Sequence, residues 1–324
     1  MTSPASQAVA PRPRKTTRTR TAQRLGDRIF SRTALTAGSL ILAILAAVSG
    51  FLILESLPAF TTDPHDIAIL DGQPFWSYVA PFVFGTLWSA ALALIMAIPV
   101  SIGIALFISH YAPRRLAQGL GYIIDLLAAV PSVVFGLWGG IVLAPAVQPL
   151  YTWLTQNLGW FPLFAGPASG TGRTILTASI VLAVMILPII TALSREVFLQ
   201  TPVLHEEAAL ALGATRWEMI RTAVLPFGRP GIVSASMLGL GRALGETMAV
   251  AMVLSASGGI SFALLTSANP GTIAANIALR FGEAFGTNIN LLIATGLILF
   301  AITLIVNMIA RWIISRRSEF SGAN

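Results

Sequence analysis

The 324-residue sequence has no cysteine, only one lysine (Lys15), and 13 acidic against 20 basic residues. Without thiols there is no disulfide, no thiol redox chemistry and no thiolate metal site. Charge is scarce overall: 10% of residues carry it, against about 25% in a soluble domain. Such a composition excludes disorder over most of the chain and argues against a soluble enzyme. There is no G-x-x-x-x-G-K-S/T phosphate loop, so the chain cannot hydrolyse ATP alone. Zinc-ligand spacing and a nucleophile elbow are missing too. His65, His110 and His205 are scattered in or near loops and form no metal pattern.

What is abundant is apolar length. Hydrophobic residues make up 55% of the chain, in six blocks at about 33–54, 79–108, 120–144, 173–193, 231–255 and 289–313. Each is long enough to cross a bilayer as a helix. Pro99, Pro131 and Pro188 are expected to kink these helices without ending them. Short alternating segments, the mark of a transmembrane barrel, are absent, and no internal repeat is visible. The fold expected is all-α and polytopic, with six transmembrane helices.

The arginines orient it. Residues 1–32 read as a flexible basic cytoplasmic tail and 315–324 as a short cytoplasmic tail, flanking a permease domain at 33–314. With both termini in the cytoplasm, 17 of the 20 basic residues fall inside, and only Arg173 and Arg280 fall outside. This asymmetry explains the net charge of +7 without nucleic acid. The outer loops agree: 55–78 carries Glu55, Asp63, Asp66 and Asp71, and 145–172 carries Trp153, Trp160 and Phe161.

The longest inner connection, about 194–230, is patterned. Thr201-Pro202 is a good helix start, with the hydroxyl as cap and proline at the first helical position. Gly213 permits a sharp turn after a short helix. Thr215 and Glu218 have capping-box spacing for a second helix, with Trp217, Ile220 and Val224 near one face. Leu225-Pro226 is expected to end it. The alternative is a plain amphipathic interfacial helix.

One charged pair lies within the fifth block. Arg242 is roughly 16 Å past residue 231, near the middle of a core about 30 Å thick. Glu246 follows one turn later. An arginine there costs about 2.5–3.5 kcal/mol, so it needs a partner or a watery cavity. One reading is a self-neutralising ion pair, but its acid-after-base order is the poorer one. The other is an anion path, since a guanidinium bonds phosphate oxygens in a bidentate way. Without an anion, Glu246 is expected to neutralise Arg242 and shut the path. Gly239, Gly241 and Gly245 suggest tight helix packing beside it. Asp125 reads as a snorkelling or capping residue, with a gating role as the alternative. Arg280 and Glu283 read as an exposed i,i+3 pair, with contact to an external protein as the alternative.

Two sets of residues carry a family resemblance. Glu207-Ala208-Ala209, Gly213 and Leu225-Pro226 resemble the EAA loop of ATP-binding-cassette importer permeases, departing from the usual pattern at Ala223. Arg242-Ala243-Leu244-Gly245-Glu246-Thr247, followed by Met248-Ala249-Val250, resembles the PstC-type permeases of phosphate-specific importers, as does 131–139. The resemblance covers roughly 80–313 and is strongest at 203–254. It implies a type I ABC-importer permease fold in the bacterial cell membrane. It also implies ATPase coupling through the EAA loop at about 200–228 and a substrate path at Arg242, Glu246 and Thr247. The implied partners are a PstA-like permease, a PstB-like ATPase dimer that uses ATP and Mg2+, and a PstS-like phosphate-binding protein. No cofactor is expected on this chain. The alternatives are a permease for sulfate or molybdate, and an ATP-independent secondary transporter or channel.

Overall fold

The structure is a computed structural model that describes residues 25–318 apart from Gly258. The tail residues before Leu25, with most of the expected basic run, and residues 319–324 lie outside the described residues. The chain divides into two compact units, up to Gly50 and from Phe51 onward. Among the described residues it is helical, with one isolated bridge between Ala256 and Asn269.

Six helices are long and apolar enough to cross a membrane: Ile29–Thr61, Phe75–Tyr111, Ser132–Leu158, Ile175–Leu199, Arg216–Leu244 and Thr287–Trp312. The first lies within α1 (Leu25–Thr61), which starts before the expected tail boundary at residue 32. Arginine is a good helix former, so Arg28 and Arg32 end the apolar block but not the helix. Ile29 through Val48 are exposed along most of their length. Next come α2 (Phe75–Leu106), with a π turn at Phe107–Tyr111, and α3 (Arg114–Ala128).

Here the expected third block, 120–144, is corrected. Its first half belongs to α3, an amphipathic inner helix, and the third span is α4 (Ser132–Leu158). Pro131 separates the two rather than kinking one helix. The residue before a proline is pushed out of the helical region, and proline lacks the N–H that continuation requires. Pro99 and Pro188, by contrast, do lie inside α2 and α5 (Ile175–Leu199). Asp125 is exposed near the end of α3 and makes no hydrogen bond among the described residues.

Beyond α5 come α6 (Val203–Ala211), α7 (Arg216–Leu244), α8 (Met248–Val253), α9 (Ile273–Arg280) and α10 (Thr287–Ser318). Threonines cap the starts of α5, α7 and α9: Thr174 accepts from the Thr177 N–H at 3.3 Å, Thr215 from the Glu218 N–H at 3.3 Å and Thr272 from the Ala275 N–H at 3.4 Å. Helix α5 is the centre of the second unit. Its Val181, Leu182, Ile186 and Ile190 are buried against the small residues Ala90, Ala93 and Ala97 of α2 and Ala235 of α7. On the outer side, Asn269 ties the segment after α8 to the start of α5. Its Oδ1 accepts from the Ile175 N–H at 3.0 Å, and its Nδ2 donates to the Arg173 and Ser255 carbonyls.

Candidate translocation and coupling sites

Helix α7 packs antiparallel on α5 through a seam of small residues. A Cβ added to Gly239 would lie 2.8 Å from Ile190 Cδ1, and one on Gly228 2.8 Å from Phe198 Cε1. Gly231 meets Val197, and Ala235 between them is 1% exposed. Of the three glycines expected to pack tightly, only Gly239 lies in this seam. Gly241 has no neighbour within reach, and Gly245 meets only the Gly241 carbonyl of its own helix. Both are exposed, because they lie on the other side of α7. The missed members, Gly228 and Gly231, were visible as small residues at helical spacing with Ala235 and Gly239.

Arg242 stands one turn beyond Gly239, about 5 Å further along the axis. Since Gly239 meets Ile190 and Ile186, Arg242 is roughly level with Leu187, halfway along the 25-residue α5. It is half-buried, and its Nε is buried with no hydrogen-bond partner among the described residues.

The helix then stops. The continuous 231–255 helix expected is interrupted at residues 245–247, between α7 and α8. Glu246 is therefore not one turn along the same face from Arg242. Its carboxylate Oε1 accepts from the Ala249 N–H at 3.0 Å and closes the start of α8. Among the described residues no carboxylate lies within 4.0 Å of Arg242, so the neutralising pair is corrected to two separate groups. The physical reason is the break itself. It leaves orphan N–H groups at the start of α8, and a buried carboxylate, 8% exposed, finds its donor and a favourable dipole there. Thr247 occupies the N-cap position, but its side chain makes no capping bond.

At the inner end, α6 and α7 form the expected helix–turn–helix. Gly213 joins them at φ +85°, a left-handed conformation that favours glycine. Thr215 and Glu218 form the full capping box. The Thr215 N–H donates to Glu218 Oε2 at 2.8 Å, and the Glu218 N–H to Thr215 Oγ1 at 3.3 Å.

Two details of this element are corrected. Thr201 does not cap α6: Pro202 holds that position, and the Thr201 hydroxyl is buried without a partner. Pro226 does not end the second helix, which runs on through a π turn at Ile220–Val224 into the membrane span. Proline is tolerated there because the first turn of a new helical segment needs no N–H from it.

Ile220 and Val224 are buried with Met219, Phe198, Ala105 and Leu106, and Ala209 and Leu225 pack against them. Trp217, expected on the same face, is 56% exposed. Glu207 and Ala208 are exposed, as are Leu204 and Leu212 at 73% and 90%. The neighbouring Glu206 reaches His110 at the end of α2, 3.4 Å from Oε1 to Nε2, and the Ser109 hydroxyl lies 2.7 Å from His110 Nδ1. The sequence assigned His110 no role, since nothing local links residues so far apart in the chain. The expected Arg280–Glu283 pair is not formed; the Arg280 guanidinium lies 5.9 Å from the Tyr78 ring centroid instead.

Six spans, a broken helix beside an unpartnered arginine and an exposed inner helix pair define a subunit of a membrane transporter. Residues 97–319 match the family described as binding-protein-dependent transport system inner membrane component, and the chain belongs to it. It is similar to the phosphate transport system permease protein PstC 2 of Mycobacterium tuberculosis, 50% identical over 238 residues, 70% of each chain. It is also similar to PstC of Xylella fastidiosa, 45% identical over 246 residues, 74% of each chain. A solved bacterial ABC transporter involved in import of the acidic polysaccharide alginate has the same fold. Its TM-score is 0.56 at 18% identity, covering 89% of this chain and 98% of that one. The chain is a multi-pass, non-catalytic permease component of the bacterial inner membrane.

Proposed function

We propose that this chain is one permease half of an ATP-driven importer of inorganic phosphate. The observation that carries the reading is Arg242, a half-buried guanidinium at a helix break whose Nε has no partner among the described residues. A buried donor left unpaired costs about 1–3 kcal/mol, more when charged. Among the described residues Arg195 Nε shares that state, but Arg242 is the one that stands beside the mid-membrane break, where an external acceptor can reach it. An oxyanion supplies that acceptor in the planar, bidentate form a guanidinium prefers. The names of relatives at 45–50% identity support phosphate as the anion.

The remaining parts fit transport by alternating access. A PstS-like binding protein delivers phosphate on the outer side. A PstB-like ATPase dimer closes on ATP and Mg2+ and moves α6 with its exposed Glu207 and Ala208. Gly213, Leu225 and Pro226 keep the turn and the helix behind it rigid enough to pass that motion to α7. A PstA-like permease supplies the other wall of the path, against the exposed Gly241–Gly245 side. Glu246 holds the start of α8, and Thr247 stands beside it at the break, its hydroxyl free of any capping bond and open to the path. Irregular backbone at this depth is tolerated where it lines a cavity or is buried in protein.

The test is uptake by the assembled complex in proteoliposomes. ATP-dependent phosphate uptake is expected, with competition by arsenate but not by sulfate or molybdate. Arg242→Ala is expected to assemble and to lose roughly 10–100-fold in uptake; uptake equal to wild type in that variant removes Arg242 from the path. Transport without any co-purifying ATPase would point instead to a secondary transporter.

A further inference from the structure

The outer segments 62–74, 159–174 and 254–286 carry just two arginines among the described residues, Arg173 and Arg280. Each lines one of two outer cavities. Arg280 lines a cavity of about 540 Å³ together with Tyr78, Asn276, Val250 and Leu254. Arg173 lines one of about 390 Å³ with Gly140, Gln148 and Thr171. Val250 of α8 and Leu254 just past its end wall the first. The second is not lined by α8, but a Cβ added to its Gly140 would come 3.0 Å from the Met252 carbonyl oxygen of that helix. The outer cations therefore lie near the helix whose start is held by Glu246.

Neither arginine is used up by an ion pair. The outer side carries Glu55, Asp63, Asp66, Asp71 and Glu283, yet among the described residues none lies within 4.0 Å of a guanidinium. Arg280 is held in place by the face of Tyr78, whose hydroxyl accepts from Asn276 Nδ2 at 2.9 Å. Arg173 directly precedes Thr174, the cap of α5. A cation at a helix N-terminus opposes the macrodipole, so helix stability does not account for it.

We infer that Arg173 and Arg280 form an outer receiving pair for a small inorganic oxyanion, drawing it along α8 toward Arg242. This rests on the phosphate-importer reading and extends it to the outer face. The action is electrostatic steering: fixed positive charge lining the cavities raises the local anion concentration. Asp71, the single carboxylate lining the larger cavity, works against it.

The assembled complex in proteoliposomes, supplied with loaded binding protein, is assayed for inorganic phosphate uptake at about 20 mM and about 500 mM salt, where screening lengths differ several-fold. At low salt Arg173→Gln and Arg280→Gln are each expected to lower uptake roughly threefold, and the double variant roughly tenfold. At high salt the ratio to wild type is expected to approach one. Arg→Lys at either position keeps most of the rate, and Asp71→Asn raises it. An unaffected double variant, or an equal loss at both salts, overturns the inference. So does a variant that needs more binding protein for half-maximal ATPase stimulation, since the arginines then serve docking. Unchanged melting and co-purification guard against misfolding. Wild type that imports no phosphate sinks the functional reading and this one with it; wild-type uptake with unaffected variants sinks this one alone.

Discussion

The inner turn at residues 212–215 and the mid-membrane break at residues 245–247 both separate one helix from the next, and they are built in opposite ways. The inner turn is exposed and local. One glycine at φ +85° reverses the chain, and a threonine and a glutamate three residues apart cap the start of α7. The mid-membrane break has no positive φ and no local capping box. It relies on a buried glutamate that closes the start of α8, while the seam of Gly228, Gly231 and Gly239 seats α7 on α5. An exposed turn can draw on water for whatever its residues leave unpaired, so a short motif specifies it. A break within the membrane has no such source, and its polar groups must be met by particular neighbours.

Substitutions sharpen this contrast, and the largest effect belongs to the break. Arg242→Ala is expected to reduce phosphate uptake roughly 10–100-fold, the worth of a hydrogen bond to a charged group. Arg242→Lys is expected to lose much of the activity as well, since a point charge cannot bond two oxygens in a plane. Uptake by the lysine variant equal to wild type breaks the bidentate argument.

Packing comes next. Gly239→Val is expected to cost about 1–3 kcal/mol by overpacking against Ile190, read as a lower melting temperature in detergent. Gly241→Ala, facing open space in this chain, is expected within about 0.5 kcal/mol of wild type. Equal melting of the two variants contradicts the seam.

Glu246→Ala is expected to cost about 0.5–2 kcal/mol as a lost cap, with Glu246→Gln close to wild type because an amide oxygen still accepts the Ala249 N–H. If Gln and Ala fail alike while both melt normally, the charge of Glu246 acts on Arg242 after all.

Among the substitutions expected to do damage, those at the inner turn come last. Gly213→Ala and Thr215→Ala are each expected to cost about 1 kcal/mol, from strain in the left-handed region and from a lost cap. Their signature is a lower ratio of uptake to ATP hydrolysis, with helix content unchanged by circular dichroism.

Much of the molecule can be read without coordinates. The Thr215–Glu218 box and the Gly213 turn appear as expected, because caps and left-handed turns depend on residues within one turn of each other. The prolines were harder. Pro188 sits inside α5, Pro131 separates α3 from α4, and Pro226 lies in a helix that continues. Whether a proline kinks, ends or begins a helix depends on which neighbours satisfy the freed carbonyls, and spacing does not report that. The ion pair expected of Arg242 and Glu246 failed for the same kind of reason. Their i,i+4 spacing predicts contact only on an unbroken helix.

Six membrane helices, an inner basic face and a capped turn between α6 and α7 are set by order and composition alone. Hydropathy, arginine placement and capping are properties of contiguous residues. Which glycines pack, where α7 stops and what His110 meets on α6 were settled by long-range packing. Each turns on which group far along the chain comes to lie opposite, and in a medium without water that neighbour decides how every buried polar atom is satisfied.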